Sequence, residues 1–135
     1  MRYLLDTNIA SHIIKGDIPR VRERLAGLPM ESIVISAVTE AELRYGVAKR
    51  GHPGGLAQRV GEFLIRVETL PWTSEAAEAY GNLRAASEAA GISLAPLDMM
   101  IAAHARAVGA ILVTRDRAFA RLPGNLPIED WTAIG

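Results

Sequence analysis

Four acidic residues, Asp6, Glu42, Asp98 and Asp116, stand at or close to the ends of apolar runs. Asp6 ends the run "YLL", Glu42 lies in the second turn of the helix expected after "SIVIS", Asp98 opens the helix expected before "AILVT", and Asp116 lies just beyond that run. Carboxylates gathered in one place repel one another and raise each other's pKa values unless a cation sits among them. The chain has no cysteine and only three histidines, so the available donors are oxygen-rich and hard, which suits Mg²⁺ or Mn²⁺ rather than zinc. Ions of this kind serve phosphate chemistry, including in-line hydrolysis of a phosphodiester by water.

The order of the elements is what would bring the four together. Short apolar runs alternate with segments of helical period, the pattern of an α/β fold. The expected strands are "RYLL" (2–5), "SIVIS" (32–36), "VETL" (67–70), "AILVT" (110–114) and "LPIED" (126–130), and their β-branched, two-sidedly apolar character suits a parallel sheet covered on both faces. Between them, Leu56, Val60, Phe63, Leu64 and Val67 recur at helical spacing, as do Tyr80 and Leu83 in the alanine-rich stretch from Ser74 to Ala90. In such a sheet the strands end at one edge, where the crossover helices around them begin, and all four carboxylates fall at that edge. Within the helix after "SIVIS", Glu42 neighbours Val38, Ala41 and Tyr45 and is expected to border an apolar face. Glu40 lies nearer Arg44 and Val47, and Leu43 with Val47 forms a second apolar strip.

Each residue has a plainer role open to it. Asp6, Asp98 and Asp116 all stand where a helix cap is wanted. An exposed or ion-paired place is the ordinary fate of a helical glutamate such as Glu42.

The 135 residues, half of them apolar, suffice for one domain spanning 1–135. Fifteen acidic and fifteen basic side chains cancel, so overall charge advertises neither a nonspecific nucleic-acid binder nor a membrane-surface protein. The missing cysteines exclude a disulfide framework and a cysteine nucleophile and make the cytoplasm the default location. No stretch approaches the ~18 consecutive apolar residues of a membrane span.

Five segments, "LLDTN", "ISAVTEAELRYG" (35–46), "APLDMMIAAHA" (95–105), "LVTRDRAF" (112–119) and "LPIEDW" (126–131), occur in this order over nearly the whole chain. Together they resemble the PIN-domain ribonucleases, in particular the VapC toxins of bacterial toxin–antitoxin (VapBC) pairs. The resemblance implies a three-layer α/β/α sandwich on a mostly parallel sheet of about five strands. It implies an Mg²⁺-dependent endoribonuclease, with Mn²⁺ a plausible substitute, whose acidic residues match Asp6, Glu42, Asp98 and Asp116. Asp6 and Asp98 rank first as ligands, since many sequences of this type have asparagine where Asp116 stands. Asn8 and the Thr114 hydroxyl would support the carboxylates from behind, with ordinary turn and cap chemistry the alternative. The resemblance further implies a homodimer held inactive by a VapB-type antitoxin. The antitoxin supplies the DNA-binding part, so no intrinsic promoter binding is expected of this chain.

Arg115, Arg117 and Arg121 after the fourth strand, and Lys49 and Arg50 after the Glu42 helix, are the candidates for RNA phosphate contacts, a solvated helix face being the alternative. Tyr3 and Trp131 are expected to pack, and no base-stacking platform stands out. His104 lies six positions after Asp98 and is expected to pack rather than ligate. The region from Leu56 to Ala90 offers aliphatic surface for a dimer or antitoxin groove, or for the core.

Four other functions are tested by the same residues. A haloacid dehalogenase-type phosphatase wants a second aspartate two residues after Asp6, where Asn8 stands. No glycine-rich phosphate loop follows the first strand, which leaves a nucleotide-binding enzyme unsupported. A non-catalytic PIN-like binding module and a metal-dependent DNA nuclease stay open, because phosphates are common to both polymers.

Overall fold

The computed structural model describes residues 1–133. Five strands, β1 (Tyr3–Leu5), β2 (Ile33–Ser36), β3 (Glu68–Leu70), β4 (Ile111–Val113) and β5 (Ile128–Glu129), form one sheet in the order β3-β2-β1-β4-β5. Every pairing is parallel. Each strand falls inside the run expected to hold it, shortened by a residue or more where the chain turns out of the ladder. Among the described residues six α-helices surround the sheet: α1 (Thr7–Lys15), α2 (Pro19–Ala26), α3 (Ala37–Lys49), α4 (Gly54–Arg66), α5 (Ser74–Ala89) and α6 (Pro96–Val108). Among the described residues no helix is long and apolar enough to cross a membrane.

Strand side chains alternate between two cores, as the period of two requires. Leu4, Val34 and Leu112 face one way, onto Leu83 of α5 and Met99, Ile101 and Ala102 of α6. Leu5, Ile33, Ile35 and Val113 face the other, onto Ile9 of α1, Leu43 and Val47 of α3 and Val60 and Phe63 of α4. The sheet is thus covered on both faces, the layering expected from its apolar strands. Trp131 is buried against Tyr3, their ring centroids 5.8 Å apart, and closes the second core beside β1.

Strand order reverses direction at β1: the chain steps from β1 to β2 and β3 on one side, then returns to place β4 and β5 on the other. The crevice outside the carboxyl ends of β1 and β4 is therefore the topological switch point, where open α/β sheets bind ligands. Asp6 leaves β1 at that point, its backbone N–H still donating to the Val113 carbonyl of β4 at 3.0 Å.

Helix α3 departs from expectation. Its buried residues are Val38, Thr39, Leu43 and Val47, whereas Ala41 is exposed and Tyr45 is 65% exposed. Of the two apolar strips on this helix, the one through Leu43 and Val47 packs, because it meets Val60 and Phe63 of α4 in the second core. Glu42 consequently borders the polar neighbour Thr39 rather than an apolar strip through Tyr45. Helix α2 was not expected: Ile18, Val21, Leu25 and Leu28 recur at helical spacing, but the eight residues "PRVRERLA" are half charged and only Val21 is fully buried.

Candidate active site

The four carboxylates reach the switch point from four elements. Asp6 ends β1 and is 5% exposed, its carboxylate accepting from the Ile9 N–H at 2.8 Å, so it caps α1 as well as facing the crevice. Asp98 is the third residue of α6 and half-buried; the N-cap position belongs to Ala95. Asp116 follows β4 across two residues and caps a short 3₁₀ turn (Arg117–Arg121) by accepting from the Ala118 N–H at 2.9 Å. Glu42 comes from the second turn of α3. Asp6, Glu42, Asp98 and Asp116 line a single open cleft of about 570 Å³, together with Asn8 and Arg115.

Charge within the cleft is strained. Burial, above all, pushes the Asp6 carboxyl above its ordinary value; the Thr114 hydroxyl and the Ile9 N–H oppose it, and the charges of Asp98 and Asp116 add to it. Asp98 is raised too, by burial first and then by Glu42 and Asp116. None of the ion pairs among the described residues engages any of the four. Glu40, by contrast, is paired with Arg44 at 2.7 Å, as its place on α3 suggested.

Two threonines position the acids. Thr7 donates its hydroxyl to Glu42 Oε1 at 2.5 Å and lies 3.1 Å from the Thr39 hydroxyl, which ties α1 to α3 behind the cleft. Thr114 is buried and accepts the Asp116 N–H at 3.0 Å, so one hydroxyl both faces Asp6 and shapes the loop that carries Asp116. Thr7 was not among the candidate residues of the sequence. Its position directly after Asp6, opposite the second turn of α3, was the signal that could have identified it.

Of the basic candidates, Arg115 lies in the cleft wall, its Nη1 3.4 Å from His12 Nε2. Lys49 and Arg50 line a neighbouring groove that shares Thr7, Ser11 and Glu42 with the cleft. Arg117 and Arg121 begin and end the 3₁₀ turn and are not among the lining residues. His104 is buried in α6 with Nδ1 2.7 Å from the Ser36 hydroxyl, a core contact rather than a place in the cleft.

An all-oxygen donor set with raised acid pKa values fits a hard divalent cation better than any neutral occupant. Among the described residues no group of three or more His, Asp or Glu side chains is arranged to hold one ion between them. The fit is of the looser kind that Mg²⁺ favours, one or two protein carboxylates with the rest of its shell water.

The PIN domain matches residues 3–125. The tRNA(fMet)-specific endonuclease VapC of Shigella flexneri is 38% identical over 133 residues, covering 98% of this chain and 99% of that protein. DNA-bound VapBC from Salmonella typhimurium superposes with a TM-score of 0.89 at 37% identity, over 97% of this chain and 98% of that one. VapBC2 from Rickettsia felis, bound to a DNA fragment from their promoter, gives 0.88 at 35% identity over 96% and 98%. Both of these structures are complexes on DNA, which stands against the expectation of no promoter binding: in them the DNA is bound by the VapBC complex.

Proposed function

The chain belongs to the PIN-domain family, and we propose that it is the endoribonuclease toxin of a toxin–antitoxin pair, cutting RNA phosphodiester bonds with water at the carboxylate cleft. The observation that carries this reading is the meeting of Asp6, Glu42, Asp98 and Asp116 in one cleft at the switch point, two of them with raised pKa values. RNA as the polymer is favoured by the name of the Shigella flexneri relative, and transfer RNA is the first substrate to try.

Asp6 and Asp98 are the principal holders of a divalent ion, Mg²⁺ with Mn²⁺ as substitute, and Glu42 and Asp116 complete the acidic wall. Such an ion, when bound, supplies a Lewis acid for the scissile phosphate and favours ionisation of the attacking water. Thr7 keeps the Glu42 carboxylate aimed at the cleft, where it can orient that water and take its proton. Asn8, exposed at the start of α1 in the cleft wall, offers an amide to water or phosphate. Arg115 meets the phosphate charge from the same wall.

Inhibition is by a VapB-type antitoxin, supported by the two VapBC structures. A cleft of about 490 Å³ between α1, α2 and α4, with Ile13, Ile14, Leu25 and Met30 on its walls and Arg59 and Arg66 at hand, suits an amphipathic antitoxin segment. The chain itself pairs as a homodimer in the cytoplasm, and promoter DNA is met by the toxin–antitoxin complex, with the antitoxin reading the bases.

The test is incubation of purified, antitoxin-free protein with total RNA and with single-stranded DNA, in Mg²⁺ or in EDTA. Discrete fragments from RNA alone, lost in EDTA, are expected. Equal cutting of DNA, or cutting unaffected by EDTA, would reject the reading.

A further inference from the structure

Tyr45 is a large aromatic side chain left 65% exposed one helical turn beyond Glu42. Residues three apart on a helix are neighbours, roughly 5–6 Å between Cβ atoms, so the ring stands next to the acidic wall. It forms part of a groove of about 270 Å³ between α1, α3 and α4. Leu43, Val47 and Val60 give this groove an apolar floor, and Lys15, Lys49 and Arg50 give it a cationic rim. Lys49 Nζ lies 5.6 Å from the Tyr45 ring centroid, a cation–π contact that orients the ring. Thr7, Ser11 and Glu42 belong both to this groove and to the carboxylate cleft, so the two are continuous.

We propose that the Tyr45 groove is a nucleotide subsite of the RNA substrate: one base flanking the scissile phosphate stacks on the Tyr45 ring while Lys49 and Arg50 meet its phosphates. The inference rests on the nuclease reading above and adds to it where the strand leaves the cleft. Three physical points favour a nucleotide over another occupant. An exposed aromatic ring beside cations is the element from which single-strand binding sites are built, because every base has a π-face and every nucleotide a phosphate. The groove is below the ~300–1,000 Å³ of a drug-sized site, the scale of a single base. Its positive rim begins where the negative wall of the cleft ends, so a polyanion drawn across the acids finds its compensating charge there. No stacking platform stood out in the sequence because Tyr45 was placed on an apolar strip expected to pack, whereas the structure leaves its ring exposed.

The experiment compares wild type, Tyr45→Ala and Tyr45→Phe for affinity toward two fluorescein-labelled probes, an eight-residue oligouridylate and the same ribose-phosphate chain without bases. Asp98→Asn is carried in all three proteins so that binding is read without cutting. Tyr45→Ala should weaken the oligouridylate by about 5-fold or more, leave the abasic probe within 2-fold, and leave the melting temperature unchanged. Tyr45→Phe, which keeps the ring, should restore binding to within 2-fold. Equal effects of Tyr45→Ala on both probes, no effect on either, or failure of Tyr45→Phe to rescue overturns the subsite. So does a Tyr45→Ala chain that binds RNA normally but loses its antitoxin, which would assign the groove to a protein partner. Cleavage of total RNA by the otherwise wild-type chain, run in parallel, separates the two claims. Its absence defeats the nuclease reading, whereas its presence with no Tyr45 effect defeats only the subsite.

Discussion

Asp6 and Asp98 hold their charges at a cost to the fold. Burial raises both carboxyls above the ordinary 3.8, so between that value and the raised one the folded state binds protons that the unfolded chain has released. Stability therefore falls as pH rises through that window, and the deficit persists above it. Replacing either acid by its neutral isostere removes the deficit, and asparagine at position 6 can still cap α1. In EDTA at pH 7, Asp6→Asn and Asp98→Asn should each melt a few degrees above wild type, and a Tm at or below wild type for both would contradict the electrostatic description. Arg115 carries the opposite sign in the same wall. Arg115→Gln should raise KM for RNA about 3- to 10-fold, leave kcat nearly unchanged and flatten the salt dependence of binding by about one phosphate contact, readable from affinities at several ionic strengths.

Between residues, the cleft depends on how α1 and α3 are joined. The Thr7 hydroxyl links Glu42 and Thr39, so Thr7→Val leaves the glutamate free to swing and costs about 1 kcal/mol in a partly buried hydrogen bond. Steady-state kinetics should show kcat down about 10-fold with KM little changed; an unaffected kcat would remove Thr7 from the site's support. This network marks where sequence legibility ended. The strands were readable because runs such as "SIVIS" are apolar on both faces, which only a covered parallel strand requires. The edge shared by Asp6, Asp98 and Asp116 followed from strand order alone. Helix α3 was harder, since it carries two apolar strips and only contact with α4 decides which is buried. That decision exposed Tyr45, set Glu42 beside Thr39, and made Thr7 a partner 35 positions away in sequence. Helix α2 is short, half charged and fully buries one side chain, so the spacing of Ile18, Val21, Leu25 and Leu28 went unread.

At the scale of the molecule, a neutral chain has to concentrate its charges to handle RNA. Acids gather at the switch point, while Lys15, Lys49 and Arg50 stand around the adjoining groove and Arg59 and Arg66 beside the α1/α2/α4 cleft. The groove and the α1/α2/α4 cleft meet at Ile14, but Met30 lines only the latter, which predicts separable losses there. Met30 is 40% exposed on the α1/α2/α4 cleft, so Met30→Glu should weaken antitoxin binding about 10-fold by calorimetry without changing RNA cleavage; coupled loss of both would mean that the two surfaces are one. The central claim, that the acids at the end of β1 and the start of α6 perform the cleavage, is tested most directly on Asp98→Asn. Assayed on transfer RNA with Mg²⁺ beside wild type, this variant should lose cleavage by at least 100-fold while its circular dichroism is unchanged. Cleavage retained within a few-fold by a folded Asp98→Asn chain would contradict the account.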